Sequence, residues 1–406
     1  MLLSLTDKLT KESENLPMNR SDLDRNAYML RGPLKKRGYM RWWHSFTGVS
    51  KDSGESRTFF IEYFIINPAL GGDQPILGQH PYYKKRGMKP SYVMIKAGVY
   101  PKASGANASP SETFDISHEG RQLHAFYPIS SLKVAHNPLY MQIEDCLFCE
   151  NKISGSIEVA REEAVHRFFM TDAGSMEWNL EVHKSIACHT GFFAGPFFSA
   201  INALDTFWHG EGIRTAYSGT VTLDDEVYEV SPDTCFGYAD KHWGRKFNQP
   251  WLQLASCRLT SKRTGKPLKY SALAVDGCCP RILCFPLKPR LSLQLTYTGE
   301  DFTFLLAKPG RFSRSRWSVK ESEKRFVWHI KAQNKRAFVK ISMACKKVDM
   351  LPLLYESPNG TLSKTPLYSG GNGIGTIELY RIVPEGRQWI DTLTIENAFC
   401  EYQSKI

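Results

Sequence analysis

The most restrictive feature of the chain is its side-chain alternation. Met176, Trp178, Leu180 and Val182 occupy every second position of one segment, and Val339, Ile341, Met343 and Cys345 do so in another. A period of two gathers such residues on one face of an extended chain, which a helix with its period of 3.6 does not do. Similar apolar segments run over 39–44, 57–66, 92–100, 123–129, 140–150, 153–159 and 219–223, and then over 251–260, 282–287, 291–297, 302–307, 316–320, 325–331, 376–383 and 393–402. Gly, Pro and polar turns separate them, residues 103–121 read as a long Ser/Gly/Ala loop, and Gly370 to Gly375 reads as a turn. So many short strands with so little helix predict an all-β chain of barrels or sandwiches. One amphipathic helix interrupts the pattern. From Pro196 to Trp208, Phe197, Ile201, Leu204 and Trp208 follow helical spacing, with Pro196 suited to the first turn. The expected organisation is a polar tail over 1–28, an N-terminal β domain over 29–205 and a C-terminal β domain over 206–406, the two joined by that helix.

Composition narrows the class further. Hydrophobic residues make up 42% and charged residues 23% of the 406, which is the balance of a globular protein and not of a disordered one. With 23 Phe, 18 Tyr and 9 Trp there is ample material for an apolar pocket. The formal charge of +11 is scattered in short groups such as Lys35-Lys36-Arg37, Lys84-Lys85-Arg86 and Lys346-Lys347. A solvated basic surface is expected from it, with weak peripheral attraction to anionic membrane and no nucleic-acid partner. The ten cysteines are irregularly placed. Cys146 and Cys149 form a lone C-x-x-C and Cys278-Cys279 are adjacent, so free thiols in a reducing compartment are expected. Asp7 and Lys8 follow Met1 to Leu5 at once and deny a signal-peptide core, and the longest uncharged stretch, 190–204, is too short to span a bilayer. The expectation is a cytoplasmic protein that requires no obligate protein partner.

Residues 235–257 concentrate the chemistry. Tyr238, Asp240, Lys241, His242, Trp243 and Trp251 fall within fourteen positions. If 237–243 is extended, Tyr238, Asp240 and His242 share one face while Ala239, Lys241 and Trp243 share the other. Gly244 and Pro250 bracket a turn, and Trp251, Gln253 and Ala255 line one face of the next strand. The stretch resembles a motif of the tocopherol cyclase family, Tyr-x-Glu-Lys-Asn-Trp-Gly, then Phe-Pro, then Trp-x-Trp. Tyr238, Lys241, Trp243, Gly244, Phe247 and Trp251 match it, while Asp240 stands for Glu, His242 for Asn, Asn248 for Pro and Gln253 for the second Trp. Gly38 to Phe46, Phe207 to Gly219 and Gly370 to Tyr380 also look like landmarks of that family, and the resemblance extends over about 29–402. It implies two tandem lipocalin-like β domains that handle apolar isoprenoid or polyketide substrates; carotenoid hydratases and fungal Diels–Alderases share the fold.

Cyclising an isoprenoid chain needs an acid to protonate a carbon–carbon double bond, aromatic faces to shelter the cation and a base for the departing proton. A carboxyl buried among indoles keeps its proton at neutral pH, because desolvation disfavours the anion. Asp240 beside Trp243 and Trp251 is the first candidate acid and Glu211 the second; His242 or Tyr238 is the base, and Lys241 completes the group. Trp43, Trp208, His209, Trp243, Trp251 and Gln253 are the candidate substrate-binding residues, and Trp43, Arg57 and Glu62 are a possible wall from the first domain. Phe207, His209 and Glu211 form a further set at period two if their segment is extended. A bland reading stands beside this one, in which Asp240 and Lys241 pair with partners on opposite faces and pin the sheet. His209, Glu211, Asp240 and His242 would be the ligands of a metal site, but metal-ligand spacing is absent and none is expected. Gly370-Gly371-Asn372-Gly373-Ile374-Gly375 does not fit a dinucleotide fingerprint, and no P-loop or nucleophile elbow occurs, so no cofactor is expected. Two functions follow: cofactor-free acid-catalysed cyclisation or hydration of an apolar isoprenoid or prenylated aromatic substrate, or carriage of an apolar metabolite without change. Gln253 in place of a Trp favours a more polar substrate than a chromanol precursor.

Overall fold

The computed structural model describes residues 26–103, 120–136, 139–164, 171–189, 204–247, 249–279, 281–282, 285–286, 290–305 and 313–404. The chain is all-β, with barrel and half-barrel sheets forming two β units. The strands of the first sheet are β1 (Tyr39–Ser50), β2 (Ser56–Ile66), β3 (Tyr92–Val99), β4 (Arg121–Tyr127), β5 (Leu132–His136), β6 (Leu139–Ile143), β7 (Cys146–Cys149), β8 (Lys152–Val159), β9 (Gly174–His189), β10 (Thr206–Leu223), β11 (Glu226–Val230) and β12 (Gly237–Gly244). Those that follow are β13 (Trp251–Ser256), β14 (Leu259–Ser261), β15 (Ala272–Cys278), β16 (Arg281–Ile282), β17 (Phe285–Pro286), β18 (Arg290–Tyr297) and β19 (Glu300–Phe304). β20 (Arg314–Glu321), β21 (Arg325–Gln333), β22 (Ala337–Lys346), β23 (Met350–Leu353), β24 (Leu367–Val383) and β25 (Gly386–Gln403) complete the chain.

Among the described residues the first sheet runs β4-β3-β2-β1-β11-β10-β9-β8-β7-β6-β5, with β12 bridging β1 and β10. The second runs β19-β18-β15-β13-β25-β24-β22-β21-β20, with β14 and β23 added on β25 and β24, while β16 and β17 pair with each other. The sheets therefore divide between residues 244 and 251, and the boundary expected at 205 falls inside the first sheet. The reason is pairing: β10 and β12 bond to each other and to β9 and β1, so 206–244 closes the first unit. Two other expectations change. Phe207 and Trp208 lie on β10 and not on a helix, while 196–203, the rest of that expected helix, lies outside the described residues. Gly370 to Gly375 is part of β24, where register shifts against β25 take up its extra length. Of the expected polar tail, Asn26 and Tyr28 are packed, and Asn26 Nδ2 donates to Glu150 at 2.8 Å.

Among the described residues three apolar layers hold the strands. One fills the first unit, with Trp42, Phe46, Tyr63, Phe148, Trp178 and Trp243. Another fills the second, with Leu254, Val275, Trp328, Ile330 and Ile377. The third lies between the sheets, where Tyr39, Trp43, Phe60 and Phe64 meet Trp251, Ala255, Ala274, Tyr355 and Phe399. β1 and the second half of β2 are buried on both faces. That explains why 57–66 reads as a nearly continuous apolar run instead of an alternation.

Candidate functional site

Polar residues are concentrated in the layer between the sheets. Cross-strand register builds two rows. On the first sheet Asp240 is opposite Trp43, Trp43 opposite Glu62, and Glu62 opposite Lys96. On the second, Ser292, Asp276, Gln253, Glu401 and Ser369 occupy neighbouring positions on successive strands. The rows meet across the interlayer through charged and amide side chains.

Asp240 is the centre of one half. Its Oδ2 accepts from Trp208 Nε1 at 3.0 Å, Tyr238 Oη at 2.9 Å, His242 Nε2 at 3.1 Å and, most closely, Gln253 Nε2. Gln253 bridges the sheets: its Nε2 also donates to Tyr238 Oη at 2.6 Å and its Oε1 lies 3.1 Å from His242 Nε2. The His242 ring is tilted over Trp251 with centroids 4.4 Å apart. Burial by itself would raise the Asp240 carboxyl, but charge and hydrogen bonding from His242, the Arg41 charge and the Gln253 amide outweigh it and hold Asp240 below its ordinary value. Burial raises Tyr238 far above the usual phenol range, and the neighbouring Asp240 charge adds to the effect.

Asp276 behaves in the opposite way. It lies beside Gln253 in the β13–β15 pairing and retains some accessible surface. Burial pushes its carboxyl up to about 6, with the charge of His242 opposing and that of Asp240 reinforcing. Two carboxyls thus act on one imidazole from environments that drive their acidities apart. Asp240 Oδ1, His242 Nδ1 and Trp251 Nε1 are buried and have no hydrogen-bond partner among the described residues. Orphaned polar atoms are costly in a native interior, and here they crowd around one centre.

The other half is an ion cluster. Arg41 donates through Nε to Glu62 Oε1 at 3.1 Å and, as a fork, to Glu401 at 3.0 and 2.5 Å. Lys96 Nζ lies 2.9 Å from Glu62 Oε2, and Tyr355 Oη donates to the same oxygen at 2.9 Å. Two cations balance two carboxylates, and the Arg41 guanidinium lies 4.4 Å from the Trp43 ring centroid. Burial lowers Lys96, an effect that Glu62 partly reverses.

The strand geometry separates the candidate residues by face. Tyr238, Asp240, His242, Trp43, Trp208, Trp251 and Gln253 come together between the sheets. Lys241 and Trp243 lie on the opposite face of β12, where Lys241 Nζ donates to Ala27 O at 3.0 Å and Trp243 stacks on Phe207. His209 is opposite Lys241 in the β10–β12 register, and its Nδ1 lies 3.0 Å from Cys188 O. Glu211 forms an ion pair with Lys184 at 2.9 Å, and Lys184 also reaches Glu150 at 3.0 Å. Burial raises the Glu211 carboxyl against the charges of Lys184 and Lys241. The four residues considered as metal ligands are therefore split between two faces. Arg57 is likewise offset: Glu62 is five residues on, hence on the other face of β2, and Arg57 Nη2 donates to Tyr100 O at 3.4 Å.

The expected proton donor needs correction as well. Asp240 was expected to keep its proton among indoles, but four donors converge on one of its oxygens and favour the anion. Asp276, Arg41, Lys96, Tyr355 and Glu401 stand outside the 235–257 motif and join the site only through the fold. The signal for Asp276 was a lone carboxylate within Ala272-Leu273-Ala274-Val275-Asp276-Gly277-Cys278, an apolar strand.

Comparison with known proteins adds no family. No family model matches the chain, and no curated protein matches it in sequence. Among solved structures, kievitone hydratase from Nectria haematococca aligns with a TM-score of 0.43 and 9% identity over 90% of this chain and 89% of that one. A Nitrosomonas europaea protein assigned as an ATTH aligns with a TM-score of 0.40 and 10% identity over 94% of this chain and 98% of that one.

Proposed function

We propose that this chain is a tocopherol cyclase-like enzyme, which cyclises or hydrates an apolar isoprenoid or prenylated aromatic substrate by proton transfer between the two sheets. The observation that carries the reading is the convergence between the sheets of Tyr238, Asp240 and His242 with Gln253, next to Asp276 on the neighbouring strand, and the opposite directions in which the two carboxyls are driven suit acid and base roles at one pH. Asp276, whose carboxyl burial makes a weaker acid that holds its proton to higher pH, is the proton donor. Its O–H proton goes to the less substituted carbon of a double bond, and the π electrons form the new C–H bond. The tertiary cation left behind faces the indoles of Trp43 and Trp251 and the phenol of Tyr238. The substrate's own hydroxyl, or a water, supplies the electron pair that closes the C–O bond, and its proton passes to His242, which Asp240 orients. Return of that proton to Asp276 restores the site. Cyclisation is then an isomerisation and hydration a net addition of water.

The test is to incubate the purified chain with a panel of prenylated phenols in heavy water and to analyse the recovered material by mass spectrometry. Cyclisation adds one carbon-bound deuterium and hydration adds one water, and Asp276→Asn should abolish either product. The carrier reading is the outcome in which ligands co-purify with the protein and are recovered unchanged; this would overturn the enzymatic reading.

A further inference from the structure

The outward face of the second sheet bears a charge arrangement that the fold does not use. Arg316, Lys331 and Lys340 are direct neighbours across β20, β21 and β22. Strands lie about 5 Å apart, and like charges directly opposite one another destabilise a sheet. The inward face of the same strands carries Phe326, Trp328 and Ile330 in the core, so this cationic row points outward. Glu378 follows in the row and pairs with Lys340 at 2.7 Å. Arg314 adds to the charge from the adjacent row and Lys320 from two rows away on the other side, and both are exposed.

The row next to the cations on one side is aromatic where it crosses the sheet, and on the other side an aliphatic row lies beyond the polar row of Ser318, His329, Ser342 and Thr376. The aromatic row runs through Phe338, Tyr380 and Trp389, the aliphatic one through Val327, Ala344 and Ile374. Trp389 is 48% exposed and Ile374 61%. A cationic row beside an aromatic one, with a polar row and then an exposed aliphatic residue on its other side, matches the boundary of an anionic bilayer, where ring side chains sit at headgroup depth and each nearby cation is attracted to the surface. A nucleic-acid strand fits less well. Base stacking needs open ring faces, but the Arg387 guanidinium covers Phe338 at 3.7 Å, and an aliphatic Ile374 gives a base neither a stack nor a hydrogen bond.

We propose that this face docks the protein on a bilayer of anionic phospholipid. The test is flotation of the full chain with phosphatidylcholine vesicles, with and without about 30% phosphatidylserine, in about 0.1 M salt. The expected result is binding to the anionic vesicles only, weakening steadily as salt rises. Arg316→Glu combined with Lys331→Glu should weaken it by roughly tenfold or more. The milder pair Arg316→Gln and Lys331→Gln should weaken it less, and Trp389→Ala should weaken it without changing the salt slope; thermal melts establish that each variant is folded. Equal binding to neutral and anionic vesicles, no binding to either, or wild-type binding by both charge variants would overturn the proposal. Tighter binding to a single-stranded oligonucleotide than to the anionic vesicles at the same salt would overturn it too.

Discussion

At the residue scale the two carboxyls beside His242 make different predictions although they share a neighbourhood. Asp276 has a folded value near 6 against an ordinary 3.8, so the folded chain binds the proton more tightly than the unfolded one. Its contribution to stability is fully present below about pH 4 and is lost as pH rises through about 6, an interval worth roughly 3 kcal/mol. Urea unfolding of wild type and Asp276→Asn across that window should show the difference between them changing with this sign. A constant difference would mean that the group is not raised. Turnover should fall over the same rise in pH, because the acid form is the donor, and Asp276→Asn should reduce it by about 10²- to 10⁴-fold with little loss of fold. Asp240→Asn differs: it leaves Trp208, Tyr238 and His242 around a weaker acceptor, so a loss of a few kcal/mol in stability should accompany any loss of rate. Melting and turnover measured on one preparation separate the two roles.

At the element scale the strand pattern carried most of the fold. The alternation of 176–182 and 339–345 placed β9 and β22, and the division of 237–243 into two faces is what β12 shows. What was not legible follows from contacts distant in sequence. β10 looked helical at its start because Leu204 and Trp208 are four apart, and only pairing with β12 and β9 shows that chain to be extended. Period two also fails at bulges. The register of β10 shifts between His209 and Gly212, and Glu211 sits between two glycines, Gly210 and Gly212. A Cβ on Gly212 would run into the Thr215 hydroxyl and the Lys184 stem, so Gly212→Ala should dislodge the Lys184–Glu211 pair and lower the melting temperature. The role of Arg41 is hidden in the sequence for a related reason: its partner Glu401 is 360 residues away. Arg41→Met leaves the Glu401 carboxylate buried and unpaired, and should cost about 3–5 kcal/mol. Adding Glu401→Leu should recover most of that in denaturant titrations, since Glu62 and Lys96 still balance each other.

At the scale of the whole molecule the interlayer makes the two β units mutually dependent. Each has its own core, but the third apolar layer draws on both, and the chain after β23 reaches back across it. Asn67 Nδ2 donates to Pro358 O at 2.8 Å, Gln79 Nε2 to Gly360 O at 2.5 Å, and Tyr100 and Ser369 share a hydroxyl hydrogen bond of 2.7 Å. A ligand held between the sheets would touch both units, so the site exists only while they stay joined. Joint unfolding in a single transition is the expected consequence, and the buried free thiols can report it. Cys146 and Cys235 are buried in the first unit, Cys345 and Cys400 in the second. Pulse labelling of thiols along a urea titration, read by mass spectrometry, should give one midpoint for all four. Ala255→Arg should split them. Ala255 is 1% exposed between Ala274 and Phe399, and an arginine there forces a charge into the shared layer while leaving both inner cores intact. The second unit's cysteines should then label at lower urea than the first's. Separate midpoints in the wild-type chain would show that the units are independent and that the buried ion cluster does not couple them.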